Sequence, residues 1–426
     1  MLALVDFGRI ILGVIDFLEN SLTILLLTAF AGGVFFAFNS ILNRKALCSL
    51  SDSASKRQPL VSVLIPCRNE EEYIASCLDS FLAQNYSNLE ILILDDHSDD
   101  DSAIVLADYE NKHEKLTILK GKELPEGWTG KNWACHQLYE RSQGEILLYC
   151  DADTKVDDSL IKNAVSDLEI KRLGFLTIFP QRNSSNLFDR AVWAFTSWVI
   201  ASWVPLWLAY KTRVRFFAVG FGQFLMLRRS AYESIGGYDN LRNKSLDDFE
   251  IARRIQMAGI DWRVYRSFGR LTTESYKSTK ETVDGYGKSI FPALGANGLI
   301  LLVAWLFLAN LAWTPVLLLI FESLHWITVT SDQLQIASLT VVAVLSSWAF
   351  SAVNLKINTI AVLLYPISIS TVLYTAIASY ITIRRGAMKW KDRIIRDADE
   401  LGTYKILGET ESLEDVSETS TGKSEP

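Results

Sequence analysis

The stretch that decides the fold is Glu145-Ile-Leu-Leu-Tyr-Cys-Asp-Ala-Asp153, in which an apolar run ends in two carboxylates one residue apart. An apolar run of this length is typical of a buried strand. Open α/β sheets bind ligands at the carboxyl ends of their parallel strands, where Asp151 and Asp153 would lie. Close carboxylates repel unless a cation neutralises them, and Mg²⁺ or Mn²⁺ bridges such groups to substrate phosphates. The alternative is a polar strand end with a turn-forming aspartate.

Predicted strands and helices alternate around this stretch. Strands are expected at 60–65, 89–94, 115–120 and 145–150, and helices at about 69–83, 102–113 and 131–143. This order predicts an α/β domain with a Rossmann-like, mostly parallel sheet. The second strand runs into Asp95 and Asp96, which would share the ligand-binding edge with Asp151. A further strand is expected at 216–227, where Gly222 would allow a ligand to approach closely.

Composition narrows the possible partners of the chain. It has 426 residues, of which 49% are apolar, and a formal net charge of −7. The negative charge argues against nucleic acid as a partner. The four histidines and five cysteines form no cluster with metal-ligand spacing, which argues against zinc and a disulfide framework and fits a reducing compartment.

Long uncharged segments predict an integral membrane protein. Residues 21–42 carry no charge and are followed by Arg44 and Lys45, which indicates a membrane anchor with the next domain in the cytoplasm. Three more apolar segments lie at 298–321, 334–353 and 357–383. The basic pair Arg384-Arg385 indicates a cytoplasmic tail, yet three crossings that start inside end outside. Either one segment is re-entrant or interfacial, or the charge rule does not hold here.

The sequence thus divides into five parts. They are a membrane anchor at 1–45, a linker at 46–58, the α/β domain at 59–290, a transmembrane region at 291–385 and a cytoplasmic tail at 386–426 whose end is expected to be disordered. The tryptophan-rich segment 187–210 has two interpretations of equal weight, a helix at the membrane interface and a buried helix of the α/β domain.

Two further positions have a chemical and a plain interpretation. Asp247 and Asp248 open a predicted helix, so they could cap it, or one could act as a general base that takes a proton from an acceptor hydroxyl. Lys131 could contact a phosphate or be an exposed lysine at the start of a helix.

The order of the acidic motifs resembles that of family 2 glycosyltransferases of the GT-A fold. These motifs are Pro66-x-x-Asn69-Glu70, Asp95-Asp96-x-Ser98-x-Asp100, Asp151-x-Asp153 and Asp247-Asp248-x-x-Ile251-Ala252-Arg253-Arg254. The stretch 124–134, Gly222-Gln223-Phe224 and Gly236-Gly237-Tyr238 are similar to the branch that includes bacterial carotenoid (diaponeurosporenoate-type) and hopanoid-associated glycosyltransferases. The resemblance covers residues 59–290.

The resemblance implies roles for individual residues. The nucleotide sugar would contact Asp96, Asp95, Glu70, Lys131 and Asp151, and the metal, Mg²⁺ or Mn²⁺, would bind Asp151 and Asp153. Asp248 would be the base, with Asp247 beside it. The donor or acceptor pocket would be lined by Gly222, Gln223, Trp133 and His136, although His136 is as readily a packing residue. The Gln-x-x-Arg-Trp motif of processive synthases is missing after Asp248, which favours transfer of one sugar.

The predicted function is an inverting, metal-dependent glycosyltransferase that moves one sugar from a nucleotide diphosphate to a membrane lipid, such as a carotenoid or another terpenoid. The nearest alternative is a polyprenyl-phosphate sugar synthase of the same fold, for which Lys211, Arg213 and Arg215 could contact the phosphate. A magnesium-dependent phosphotransfer protein would leave Asp151, Asp153 and Asp248 without roles. A non-catalytic membrane scaffold would not require the acidic positions.

Overall fold

A seven-stranded sheet lies between the apolar ends of the chain. The computed structural model describes residues 2–52, 55–182, 184–385, 389–390 and 393–394. The strands are β1 (Val61–Cys67), β2 (Leu89–Asp95), β3 (Leu116–Lys120), β4 (Ile146–Tyr149), β5 (Thr154–Val156), β6 (Phe175–Phe179), β7 (Gln181–Arg182), β8 (Leu225–Arg228), β9 (Trp262–Arg266) and β10 (Leu271–Thr273). The main sheet has the order β3-β2-β1-β4-β8-β6-β9, and only β8 runs antiparallel to its neighbours. The remaining three strands form a small sheet in the order β5-β10-β7.

Helices cover both faces of the main sheet, so its central strands are apolar along almost their whole length. In this domain the helices are α2 (Ile74–Leu82), α3 (Ser102–Glu110), α4 (Gly130–Arg141), α5 (Leu160–Ile170), α6 (Leu187–Ser202), α7 (Leu206–Ala209), α8 (Arg229–Ser234), α9 (Asp247–Met257) and α10 (Thr279–Ala293). Side chains of α2, α3 and α5 fill the core on one face, and those of α4, α8 and α9 fill the core on the other.

Two predicted elements differ from the structure. The helix expected at 69–83 begins only at Ile74, because Asn69 has a left-handed backbone (φ 51°) and its side chain accepts a hydrogen bond from the Asp99 amide. The strand expected at 216–227 is limited to β8. Its first part is a short 3-10 helix, and a Cβ on Gly220 would lie 2.3 Å from the Asp248 carbonyl oxygen. This segment therefore packs along the start of α9 rather than pairing with a neighbouring strand.

Four helices are long and apolar enough to cross a membrane. They are the part of α1 (Leu2–Ala46) at Glu19–Ala46, α11 (Gly298–Ser323), α12 (Ser331–Leu355) and α14 (Tyr365–Arg384). Asn310 of α11 donates to the Leu25 carbonyl, and a Cβ on Gly32 would meet Phe307, so α1 and α11 run antiparallel. Along α12, Gln333 bonds Thr23 and the Ser347 carbonyl accepts from Ser40, so α1 and α12 run parallel.

The segment 356–384, which contains the short α13 (Thr359–Leu363) and α14, begins and ends on the side of the α/β domain. Lys356 donates to the Phe268 carbonyl of that domain. At the other end, Ser379 bonds the Gly287 carbonyl and the Phe291 amide of α10. Ser370 meanwhile bonds Trp313, in the middle of α11. The segment therefore enters the bundle and returns to the domain side. Of the predicted tail at 386–426, the structure describes two short strands that pair antiparallel, β11 (Lys389–Trp390) and β12 (Arg393–Ile394), and the expected disordered end lies outside the described residues.

The tryptophan-rich α6 joins the sheet to the apolar bundle. Trp193 stacks on Phe179 of β6, with ring centroids 4.9 Å apart, and Trp198 is fully buried against Trp348 of α12. Polar groups fix the same helix to α1. Asn39 donates to the Ser202 carbonyl at 2.7 Å, and Asn43 donates to the Ala201 carbonyl at 2.9 Å. The helix thus packs against both the α/β domain and the apolar bundle, whereas the two interpretations placed it either at the membrane interface or inside the α/β domain.

Candidate active site

The two acidic strand ends lie at one edge of the main sheet. Asp95 closes β2, and Asp151 follows β4, with β1 between these two strands. Register pairing aligns Cys67 of β1 with Asp95. Since neighbouring strands are about 4.8 Å apart, the two acidic groups are separated by about 10 Å. A nucleoside diphosphate could span that distance along the carboxyl edge.

The loop after β2 is held by hydrogen bonds that leave Asp95 and Asp96 with different surroundings. The Asp95 carboxylate accepts from the Ser98 amide and hydroxyl at 3.1 and 2.5 Å, so it shapes the turn. The Asp96 side chain is 3% exposed and lies 3.4 Å from the His97 ring. Arg68 donates to the carbonyls of Asp96 and His97. Sequence analysis missed Arg68, although it lies within the Pro66 to Glu70 motif.

Lys131 lies at the centre of the site, which excludes the exposed helix-start interpretation. The Thr129 hydroxyl caps α4 by accepting from the Asn132 amide, and this places Lys131 in the first turn. Its Nζ is 2.8 Å from Asp151 Oδ1 and 4.0 Å from Asp247 Oδ2. Burial disfavours the charged lysine, but Asp151 and Asp247 outweigh this effect and raise its pKa well above the ordinary value. The lysine therefore stays positively charged between two acidic motifs.

Asp153 has an unsatisfied oxygen that faces no protein donor among the described residues. Its Oδ2 accepts from Thr273 Oγ1 of β10 at 3.2 Å, whereas Oδ1 is buried and unpaired. Burial and the neighbouring Asp151 raise the pKa of Asp153 to about 6. A buried, unpaired carboxylate oxygen costs about 1–3 kcal/mol unless a ligand satisfies it.

These residues fit a divalent cation only when a substrate completes its coordination. Within the described residues, no three His, Cys, Asp or Glu side chains come together closely enough to hold a metal ion by themselves. Mg²⁺ commonly uses one or two carboxylates and completes its octahedron with water and substrate phosphates. Asp151 and the unpaired oxygen of Asp153 supply that number of carboxylates.

Asp248 and Asp247 are held by different partners at the start of α9. Asp248 Oδ2 accepts from the Gly222 amide at 3.1 Å, and Asp247 Oδ2 accepts from the Tyr238 hydroxyl at 2.9 Å. The N-cap residue is Leu246, so neither carboxylate occupies the capping position. Burial, and then the charge of Asp247, raise the pKa of Asp248 to about 7. A carboxyl with that pKa can take up a proton near neutral pH.

Gly222 is where the separate motifs meet. A Cβ at this position would lie 3.2 Å from Lys131 Nζ, 3.4 Å from Asp151 Oδ2 and 3.7 Å from Asp248 Oδ2. The next residue, Gln223, donates to Asp151 Oδ2 at 3.2 Å. The missing side chain thus leaves open the space between the acidic pair and the start of α9.

The structure also shows contacts of three further predicted site residues. Trp133 and His136 stack on each other with ring centroids 5.6 Å apart, and both pack against Trp128. The backbone amide of Glu70 bonds Ser102, which ties this residue to the loop after β2. Two partners of the acidic residues, Thr273 and Tyr238, were missed by sequence analysis. Tyr238 follows the Gly236-Gly237 pair that was recognised, whereas Thr273 has no local signal.

The comparison with known protein families agrees with this geometry. Residues 62–236 match the model of Glycosyl transferase family 2. The predicted resemblance to family 2 glycosyltransferases is confirmed over these residues, and the structure has the predicted GT-A-like α/β fold with a mostly parallel sheet.

Curated relatives that are similar to this chain include two proteins. The beta-monoglucosyldiacylglycerol synthase of Trichormus variabilis is 27% identical over 207 residues, which cover 47% of this chain and 42% of the relative. The 4,4'-diaponeurosporenoate glycosyltransferase of Staphylococcus haemolyticus is 22% identical over 254 residues, which cover 58% of this chain and 66% of the relative. The chain therefore spans about half the length of the curated relatives that it matches.

A solved structure shows the same fold as this chain. The mannosyltransferase PcManGT from Pyrobaculum calidifontis, solved in complex with GDP-Man and Mn²⁺, has a TM-score of 0.51 and 16% identity. The match covers 88% of this chain and 100% of that one.

Proposed function

We propose that this protein is an inverting, metal-dependent glycosyltransferase that moves one sugar from a nucleotide diphosphate donor to a hydroxyl or carboxyl group of a membrane lipid. The observation that carries the proposal is the convergence on Gly222, where Lys131, Asp151 and Asp248 surround one open position. That arrangement offers phosphate neutralisation on one side and a base on the other, with the reacting sugar carbon between them.

The donor would lie along the carboxyl edge of the sheet. Asp96 would bind the nucleoside, with the loop shaped by Asp95 and Arg68, and Glu70 beside it. Lys131 would exchange its bond with Asp151 for a contact with the diphosphate, because a positive charge at that place binds phosphate as readily as carboxylate.

Asp151 and Asp153 would hold Mg²⁺ or Mn²⁺ against the diphosphate. The ion would supply Lewis-acid chemistry, because it offsets the negative charge that develops on the departing diphosphate. Gln223 donates to Asp151 and Thr273 donates to Asp153, so both carboxylates keep one oxygen oriented by the protein.

Asp248 would act as the general base. Its raised pKa suits a group that removes a proton from an acceptor hydroxyl while the acceptor oxygen attacks the sugar carbon. The amide of Gly222 fixes one oxygen of Asp248, and the Tyr238 hydroxyl fixes one oxygen of the neighbouring Asp247. One displacement without a covalent intermediate inverts the sugar carbon.

The acceptor would reach this site from the membrane bundle. The helices α6 and α10 contact both the domain and the apolar helices, and two relatives are named for lipids, monoglucosyldiacylglycerol and 4,4'-diaponeurosporenoate. We therefore expect a carotenoid, another terpenoid or a glycerolipid as acceptor. Arg384 and Arg385 end a segment that returns to the domain side, and their positive charge supports a cytoplasmic domain.

A polyprenyl-phosphate sugar synthase is the second candidate. The loop between α7 and the 3-10 helix Arg215–Phe217 carries exposed Lys211 and Arg213, and it leads directly towards Gly222. These side chains could contact an acceptor phosphate at the membrane surface.

The test uses the full chain purified in detergent or lipid nanodiscs. UDP-glucose, UDP-GlcNAc and GDP-mannose are each supplied with Mn²⁺ or Mg²⁺ and a total lipid extract, with and without added polyprenyl phosphate. The proposal predicts a new lipid heavier by one sugar in the extract alone, and none after EDTA treatment. A product only with polyprenyl phosphate would favour the second candidate. Absence of any product, with no binding of UDP or GDP, would reject both.

A further inference from the structure

Arg182 and Asp189 form a buried pair beside the metal-binding carboxylates. Their side chains are 9% and 0% exposed, and Arg182 Nη1 lies 3.4 Å from Asp189 Oδ1. Thr273 pairs with both Thr154 and Arg182 across the small sheet, so these side chains point to the same face. Since Thr273 bonds Asp153, Arg182 lies about one strand spacing, about 4.8 Å, from a residue that holds the proposed metal ligand.

The pair also lies where the helices of the bundle meet the small sheet. Asp189 is in the first turn of α6, and Tyr286 of α10 accepts a hydrogen bond from Arg182 at 3.2 Å. Three aromatic rings surround the guanidinium, those of Trp193, Tyr276 and Tyr286, with centroids 5.0 to 5.7 Å away. Both helices contact α14.

Two atoms of the pair remain unsatisfied, and they are complementary. Arg182 Nε, a donor, and Asp189 Oδ2, an acceptor, are both buried and have no hydrogen-bond partner among the described residues. Buried polar groups are almost always hydrogen-bonded, so a donor and an acceptor left open on one ion pair indicate a polar ligand. A hydroxyl can accept from a donor such as Arg182 Nε and can donate to an acceptor such as Asp189 Oδ2.

An anionic head would fit this position poorly. An ionised carboxylate or phosphate only accepts hydrogen bonds, so it could use Arg182 Nε but would leave the Asp189 oxygen unpaired and facing a like charge. Asp189 already partly neutralises the arginine, which lowers the attraction for a second anion. Aromatic faces around the pair instead suit the C–H groups of a neutral polyol or an isoprenoid end.

We propose that Arg182 and Asp189, within the ring of Trp193, Tyr276 and Tyr286, bind the neutral, hydroxyl-bearing head of the lipid acceptor. The inference rests on the proposed glycosyltransferase function and narrows its acceptor class from hydroxyl or carboxyl to hydroxyl. Arg182 and Asp189 are positioning residues, because they orient the acceptor while Asp248 takes the proton. The second candidate function makes the opposite prediction, since it places the phosphate of the acceptor at this position.

The first arm of the test needs no variant. Wild-type full chain in nanodiscs receives the donor identified above together with geranylgeraniol, geranylgeranoic acid or geranylgeranyl phosphate, which share one hydrocarbon chain and differ only in the head. We expect kcat/KM for the alcohol to exceed that for the acid and the phosphate by at least about tenfold, because only the alcohol satisfies both open atoms. A preference for the acid or the phosphate overturns the inference and leaves the glycosyltransferase function standing.

The second arm compares Asp189→Asn with Arg141→Gln, an exposed arginine at the far end of α4 that serves as the control. Asp189→Asn should raise KM for the alcohol about tenfold while kcat changes less than about threefold, since the chemistry at Asp248 is untouched. An unchanged KM, as in the control, overturns the inference. If Asp189→Asn does not fold, as judged by size-exclusion chromatography, the head-group preference of the wild type decides. If the wild type binds neither UDP nor GDP, the proposed function is rejected, and the inference with it.

Discussion

Replacing Asp248 with asparagine is expected to abolish sugar transfer and to stabilise the folded protein at the same time. Asparagine has nearly the same shape, and its carbonyl oxygen can still accept from the Gly222 amide. It cannot take up the acceptor proton, so turnover should fall by about 10²–10⁴-fold, the usual contribution of a general base. Binding of UDP or GDP with Mn²⁺ should survive, because Asp96, Asp151 and Asp153 are intact.

The gain in stability follows from the pKa of Asp248. Burial and Asp247 raise it from 3.8 to about 7. A carboxyl whose pKa is raised by folding lowers stability once the pH rises above the pKa of the unfolded state. The loss of stability is complete once the pH exceeds the pKa of the folded state. At about 1.4 kcal/mol per pKa unit, the cost is about 4 kcal/mol at pH 8 and under about 1 kcal/mol at pH 4. Asp248→Asn removes this cost but gives up the bond that Asp248 Oδ1 accepts from the Phe249 amide, which offsets about 1 kcal/mol of the gain.

Thermal unfolding of the full chain in detergent measures the gain. With about 2–4 °C per kcal/mol for a domain of this size, Asp248→Asn should raise Tm by at least about 6 °C at pH 8 and change it by no more than about 2 °C at pH 4. Asp158→Asn, an exposed aspartate in the same domain, is the matched control and should change Tm little at either pH. An equal shift at the two pH values, or a lower Tm at pH 8, would refute the assignment of a buried, charge-strained carboxyl.

Three other substitutions test neighbouring parts of the site. Asp153→Ala should abolish Mn²⁺-dependent binding of UDP or GDP in a calorimetric titration, and retained binding would contradict its role as a metal ligand. Gly222→Ala should lower kcat about 10²-fold with little change in Tm, because the new methyl group lies 3.2 Å from the flexible Lys131 and fills the space between base and donor; wild-type kcat would show that this space is not the reaction site. Tyr238→Phe should lower stability by about 1–3 kcal/mol, since it leaves the buried Asp247 oxygen without its partner, and an unchanged Tm would contradict that bond.

The sheet and the acidic strand ends could be predicted because their signals are local. Each apolar strand is followed within two residues by its carboxylates, and parallel strands bring such ends together whatever the loops do. The prediction for Lys131 was open because a lysine in the first turn of a helix gives no sign of its neighbours. Only the placement of α4 against β1 and β2 brings its Nζ within 2.8 Å of Asp151.

The rest of the site depends on contacts that no sequence window contains. Thr273 reaches Asp153 across 120 positions of sequence, and Tyr238 reaches Asp247 through a turn rather than a helix. The apolar residues at 216–227 suggested a strand. Packing against α9 requires the same apolar residue types as packing within a sheet, so the sequence does not distinguish the two. The odd number of predicted crossings likewise could not be explained without knowing where segment 356–384 begins and ends. Only the contacts of Lys356 and Ser379 show that both ends lie on the domain side.

The buried asparagines of α1 have a consequence for biosynthesis. Asn39 and Asn43 find their partners in residues 201 to 207, whereas Ser40 bonds the Phe36 carbonyl of its own helix and also meets Ser202 and Ser347. A ribosome completes α1 long before it makes those residues, so the new helix enters the bilayer with its polar side chains facing lipid, where unsatisfied groups are costly. The first helix therefore waits, incompletely stabilised, until α6 and then α12 arrive. During that interval a chaperone or a protease in the membrane could recognise the chain.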